Sequence, residues 1–209
     1  LIGGVRVLFP TQKPFIAIPH ALIAQTFFAV IVSIAVFTSK GWFRRGRESE
    51  DAGRPGLRRL TAITVAAILI QLVLGAGFRH QAFGIIPHII GAVGVTAMVV
   101  WTSVAVFKRH VENGYLRRPA LTLLVLLATQ VILGVSAYLA RLASAGDPQP
   151  LEPMITLTVA HVVVGALTLV TAVVLMLRSY RVLAPVAASA RGVAEARTEM
   201  GGSPRRATV

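Results

Sequence analysis

The chain contains five histidines and no cysteine. Neutral imidazole ligates metals and is a common axial ligand of haem iron, so the placement of the histidines is the first question. Three of them share a local pattern. His20, His88 and His161 each stand near the start of an apolar run, and His20 and His88 each follow a proline in an Ile-Pro-His triplet. Proline suits the first turn of a helix. Four residues beyond the histidines lie Ala24, Ala92 and Gly165. A small residue one turn along the same helix face leaves a flat space beside the ring, suited to a planar macrocycle or to a close helix contact. His80 ends another apolar run on the same side, and His110 stands beside Lys108 and Arg109, where a solvated loop residue is expected.

A second motif precedes each of these histidines. Gln71-Leu-Val-Leu-Gly75 and Gln130-Val-Ile-Leu-Gly134 are offset by 59 positions at both Gln and Gly, and Ile2-Gly3-Gly4-Val5-Arg6 has the form of a third copy cut short. The chain therefore reads as a helical hairpin used three times, an organisation common in membrane bundles. The glutamines read as interhelical hydrogen-bonding groups. Two imidazoles at equal depth on facing helices can grip one iron from both sides, and Arg79 is placed to pair with propionates. Other chemistries fit less well. Zinc asks for three or four converging ligands, and beyond histidine this side offers Asp147 and Glu152. A proton or ion pathway asks for carboxylates within the spans, and these spans hold none.

Five elements must position these residues, at 15–39, 60–78, 82–107, 119–140 and 154–177. Each is 19 to 26 residues long, or about 29–39 Å as a helix, enough for a hydrocarbon core of about 30 Å. Hydrophobic residues make up 55% of the chain and charged residues 14%, against about 25% charged in soluble domains. Mean hydropathy is +0.74. This composition excludes a soluble enzyme, a nucleic-acid-binding domain and a disordered protein. An all-α polytopic transmembrane bundle is expected instead, spanning residues 1–181 with five full spans and the remnant of a sixth. A basic, disordered tail is expected over residues 182–209.

The net charge of +13 is mainly a topology signal. Seventeen of the 21 Lys and Arg fall in the first connection, the third connection and the tail. The opposite side holds Arg6, Lys13, Arg79 and Arg141. By the positive-inside rule the tail is cytoplasmic and His20, His80, His88 and His161 lie toward the outside. Composition points to a bacterial inner (plasma) membrane. Trp42, just beyond the first span, fits an interfacial anchor.

His20-Ala-Leu-Ile-Ala-Gln25-Thr-Phe-Phe28, Gln71-Leu-Val-Leu-Gly75-Ala-Gly-Phe-Arg79-His80 and Ala160-His161-Val-Val-Val-Gly165-Ala166 together resemble the heme A synthase (cytochrome oxidase assembly) family. The resemblance runs from Leu1 to Arg181. It implies a membrane oxidoreductase that converts heme O to heme A, oxidising the C8 methyl group to a formyl group with oxygen from water. Electrons would pass to a bound heme b. By motif, His20 and His88 match one pair of iron ligands and His161 a ligand of a second site, for which His80 is the candidate partner. Arg6 and Arg79 match basic positions that follow the Gln-x-x-Leu-Gly-type element, and Arg79 is a candidate cofactor-binding residue. Implied partners are the lipid bilayer, heme O synthase and oxidase assembly proteins, and self-association is compatible with the pattern. The family has eight helices in two halves, and its members often carry a glutamate before the first ligand, whereas residues 9–19 hold no carboxylate. Two other classes fit the sequence: a haem-binding electron carrier or assembly factor without the oxidation, and a small non-haem transporter.

Overall fold

Every long apolar run becomes a helix in the computed structural model. The structure describes residues 13–46, 49–51, 53–146, 149 and 151–185. The Ile2–Arg6 motif and residues 186–209 of the expected tail lie outside them, whereas Val182 ends the last helix and Leu183–Ala184 form a strand. Helix α1 covers Lys13–Phe37, α2 Lys40–Arg44, α3 Leu57–Arg79, α4 Ile86–Arg109, α5 Gly114–Ala143 and α6 Glu152–Val182. Two short strands, β1 (Ser49–Glu50) and β2 (Leu183–Ala184), pair in parallel. The five long helices are long and apolar enough to cross a membrane.

The helix ends depart from the expected spans for local reasons. The fourth span was expected to begin at residue 119, but α5 starts at Gly114 because the Asn113 side chain accepts from the Tyr115 and Leu116 amides. That cap sits among cationic residues that a hydropathy window passes over. The third span was expected from residue 82, but α4 starts four residues later. Gln81 has φ 60° and the Ala82 amide donates to Gly77 O, forming a turn. Pro87 then occupies the first turn of α4 as expected. Pro19 does not occupy a first turn: it lies inside α1, which begins six residues earlier.

Helices α3, α4, α5 and α6 each pack on the next, and α6 packs back on α3, closing a four-helix ring with α4 and α6 on one diagonal. Helix α1 lies outside the ring against α3 and α6. The packed core sits at the basic end, where Leu57, Leu60, Val99, Val106, Leu116, Leu123, Leu169 and Leu175 are buried. Hydroxyls cross this core in pairs, Thr64 to Thr102 at 2.8 Å and Thr61 to Ser179 at 3.1 Å. In an apolar bundle, buried hydroxyls need such partners.

The basic end is also tied from outside. The Asp51 amide donates to Ala184 O, extending the β1–β2 pairing. Its carboxylate accepts from the Leu57 amide at 2.6 Å and the Arg58 amide at 3.1 Å, satisfying two orphan donors at the start of α3. Trp42 packs edge-on against Phe37, and Arg181 donates to Trp42 O while its guanidinium lies over the indole ring. Replacing Asp51 by alanine is expected to cost about 1 kcal/mol, the usual loss of a side-chain helix cap. Reversible chemical unfolding in micelles measures it, with Asp51→Asn losing less because it keeps an acceptor.

A paired histidine site at the open end of the bundle

The four helices of the ring are not packed evenly along their length. Buried positions run from Leu57 to Ile68 on α3, Val95 to Val106 on α4, Leu116 to Leu127 on α5 and Gly165 to Val182 on α6, with Gly77 as the one outlier. The remaining turns, at the end opposite the basic loops, bury nothing else among the described residues. His88 and His161 both stand in this loosely packed band, half-buried, on the diagonal pair α4 and α6. Their ring centroids are 6.4 Å apart and the rings are nearly perpendicular at 81°.

Each imidazole is held by its own hairpin in the same way. Gln71 Nε2 on α3 lies 3.0 Å from His88 Nδ1 and also donates to the His88 carbonyl at 2.9 Å. Gln130 Nε2 on α5 lies 3.2 Å from His161 Nε2. One helical turn beyond each glutamine stands a glycine beneath the ring. A Cβ on Gly75 would meet His88 Cε1 at 2.9 Å, and a Cβ on Gly134 would meet His161 Cε1 at 2.9 Å. The repeat read from the sequence thus has a physical meaning: glutamine bonds the imidazole and glycine gives it room. Two copies of it face each other across the ring.

Other small residues serve the glutamines rather than the rings. A Cβ on Gly165 would stand 3.2 Å from Gln130 Nε2, and one on Gly91 would collide with Gln71 Oε1. The expectation that Gly165 flanks its imidazole is therefore corrected: Gly165 seats the Gln130 amide, as Gly91 seats that of Gln71.

The remaining candidates fall elsewhere. His20 is exposed on α1, outside the ring, and no hydrogen bond or ring contact joins it to another histidine among the described residues. Arg79 is exposed at the last position of α3, and His80 is the half-buried residue that ends that helix. His110 is not a solvated loop residue as expected. It is half-buried at the end of α4, with Nε2 buried and without a partner among the described residues, and burial pushes its pKa below the ordinary value. One cation that sequence reasoning had only counted joins the site region: Arg141 on α5 stacks 4.7 Å from the centroid of Phe78 on α3, and that ring packs against Tyr138.

The fit of these residues to a haem can be judged from the site itself. The two ring centroids stand 6.4 Å apart, a separation at which both imidazoles could hold one metal ion at bond lengths of about 2 Å. His161 Nδ1 and the Oε1 atoms of Gln71 and Gln130 are buried without hydrogen-bond partners among the described residues, so the site has unspent polar capacity. The paired glycines give the two imidazoles the room they occupy, since a Cβ at either position would press on the ring. The donors are two neutral nitrogens in apolar walls, which suits an iron whose four in-plane positions are supplied by a porphyrin. In the described geometry Gln130 shares Nε2 of His161, so an iron at that nitrogen displaces the amide. Scans against protein-family models, curated proteins and solved structures give no match to this chain.

Proposed function

We propose that the chain is a haem-binding membrane protein of the heme A synthase type, in which His88 and His161 would hold a heme b. The single observation supporting this is the opposed imidazole pair on diagonal helices, each with its own glutamine and glycine. When bound, such a haem supplies one-electron redox chemistry. The chain's own residues bind and orient. Gln71 bonds Nδ1 of His88 and would orient that ring with Nε2 left clear, and ligand-orienting hydrogen bonds of this kind raise metal affinity. Arg79 and Arg141 supply positive charge for propionates at the same end. This pairing differs from the motif-based one of His20 with His88. In the proposed site His20 has no role.

The activity we propose is the one the resemblance implies: oxidation of the heme O methyl group to the formyl group of heme A, for delivery to cytochrome oxidase. We also propose the orientation given by the charge distribution, with the basic end toward the cytoplasm of a bacterial inner membrane. One observation favours a second reading. Among the described residues Glu152 is the sole carboxylate at the histidine end, and an oxidation that releases protons is served by a nearby base. A haem-binding electron carrier or assembly factor needs none.

Purification in detergent after expression with haem supply is expected to yield a reduced-minus-oxidised spectrum with Soret and α bands of six-coordinate haem. A flat spectrum would overturn both haem readings. Haem extracted from cells that make heme O then separates the two: heme A that appears only with this protein supports the enzyme, and its absence leaves the carrier.

A further inference from the structure

At the opposite end of the bundle, α5 and α6 enclose a cleft of about 520 Å³ whose chemistry the histidine site does not use. Its mouth is lined by Arg45, Arg118 and Arg178 with Tyr115, and no Asp or Glu among the described residues lines it. Arg178 is the organising side chain. It projects from α6 one turn before the helix ends, donates from Nη1 to Tyr115 O at 3.0 Å, and lies 4.3 Å from the Tyr115 ring centroid. Its Nε is buried with no partner among the described residues. A guanidinium held in place with a donor unused is prepared for an anionic acceptor, and its planar fork suits phosphate. Arg45 stacks on the same tyrosine from another element, with its guanidinium carbon 4.7 Å from the ring centroid.

The cleft changes character along its length. Beyond the arginines its walls are Pro119 and Thr122 of α5 and Val170, Thr171 and Val174 of α6. These residues recur at three- and four-residue intervals, so they line one continuous strip on each helix and lead from the basic end toward the middle of the span. Thr122 gives its hydroxyl to Arg118 O within its own helix, which leaves a methyl-rich surface in the groove. A cationic mouth opening on an apolar channel, within a helix pair that crosses the bilayer, matches an amphiphile with an anionic head. It does not match a free anion, which has no use for the channel.

We propose that this cleft is a binding site for an anionic phospholipid, with the phosphate at Arg118 and Arg178 and an acyl chain along the α5–α6 groove. Basic pockets between transmembrane helices are suited to such head groups. The site goes beyond the haem reading and does not depend on it.

The test uses the full chain in detergent micelles, titrated separately with dioleoyl phosphatidylglycerol, dioleoyl phosphatidylcholine and inorganic phosphate. Bound lipid is counted by native mass spectrometry. Retention of phosphatidylglycerol over phosphatidylcholine is expected, with affinity about fivefold weaker for each of Arg118→Gln and Arg178→Gln. Arg59→Gln, which removes an exposed cation at the same end outside the cleft, is expected to leave it unchanged. Arg118→Gln keeps the Arg178–Tyr115 contact, so it remains informative if Arg178→Gln misfolds. Equal retention of both lipids, equal losses in Arg59→Gln and Arg118→Gln, or competition by inorganic phosphate at the lipid's own affinity would each overturn the proposal. The haem spectrum of Arg118→Gln should match the parent, which keeps failure of this site separate from failure of the haem site.

Discussion

His161→Ala is expected to abolish the six-coordinate haem spectrum, and His88→Ala is expected to do the same. The two rings face each other at 6.4 Å from diagonal helices, and no other described histidine contacts either of them. Removing one ring leaves iron with a single protein ligand, so the α band characteristic of two nitrogen ligands collapses even where some haem is retained. The contrast with other histidines gives the experiment its force. Motif matching pairs His20 with His88, whereas the bundle pairs His88 with His161. Retention of the parent spectrum in His161→Ala together with its loss in His20→Ala would reverse the geometric assignment. His110→Ala serves as the neutral control, because His110 lies at the far end of α4. Gln71→Ala should keep the spectral form while weakening haem retention by about 10–100-fold, the usual effect of removing a group that orients a metal ligand.

The difference between those two pairings shows which information the sequence carried. Runs of apolar residues located all five long helices, because membrane spanning depends on local length and composition. The Gln-x-x-Leu-Gly repeat was visible as a pattern, and its glutamines were rightly assigned to interhelical hydrogen bonds. Which helices stand diagonally is a property of ring closure, set when α6 packs back on α3 through Thr61 and Ser179, 118 positions apart. No local pattern encodes it. Helix ends were shifted where caps and turns intervene, at Asn113 and Gln81, since a hydropathy window does not register them. His110 was misread for a similar reason. Its charged neighbours suggested solvent, but the loop carrying Asp51 folds back toward it from a distant part of the chain.

The second large effect is expected at the glycines, and it separates folding from ligand binding. In a helix interior, Gly→Ala raises stability by up to about 1 kcal/mol through reduced backbone entropy in the unfolded chain. At Gly134 the new methyl group would stand 2.9 Å from His161 Cε1, where carbon atoms prefer separations of about 3.5–4.0 Å. Without haem, His161 can yield by a small rotation, and the two effects nearly offset. With haem, the ring is fixed by its bond to iron and the methyl group must be accommodated by strain of about 1–3 kcal/mol. Gly134→Ala should therefore melt close to the parent in the haem-free state and yet hold haem about tenfold less tightly, 1.4 kcal/mol corresponding to one decade in affinity. Gly75→Ala should behave in the same way through His88, because the hairpins repeat the contact. The larger Gly134→Val and Gly75→Val should lose haem altogether. Paired thermal melts and haem titrations of the same preparations decide the matter. A Gly134→Ala protein that binds haem as tightly as the parent would show that the imidazole does not lie over this glycine when it holds iron. A variant destabilised equally with and without haem would make the contact a packing contact alone.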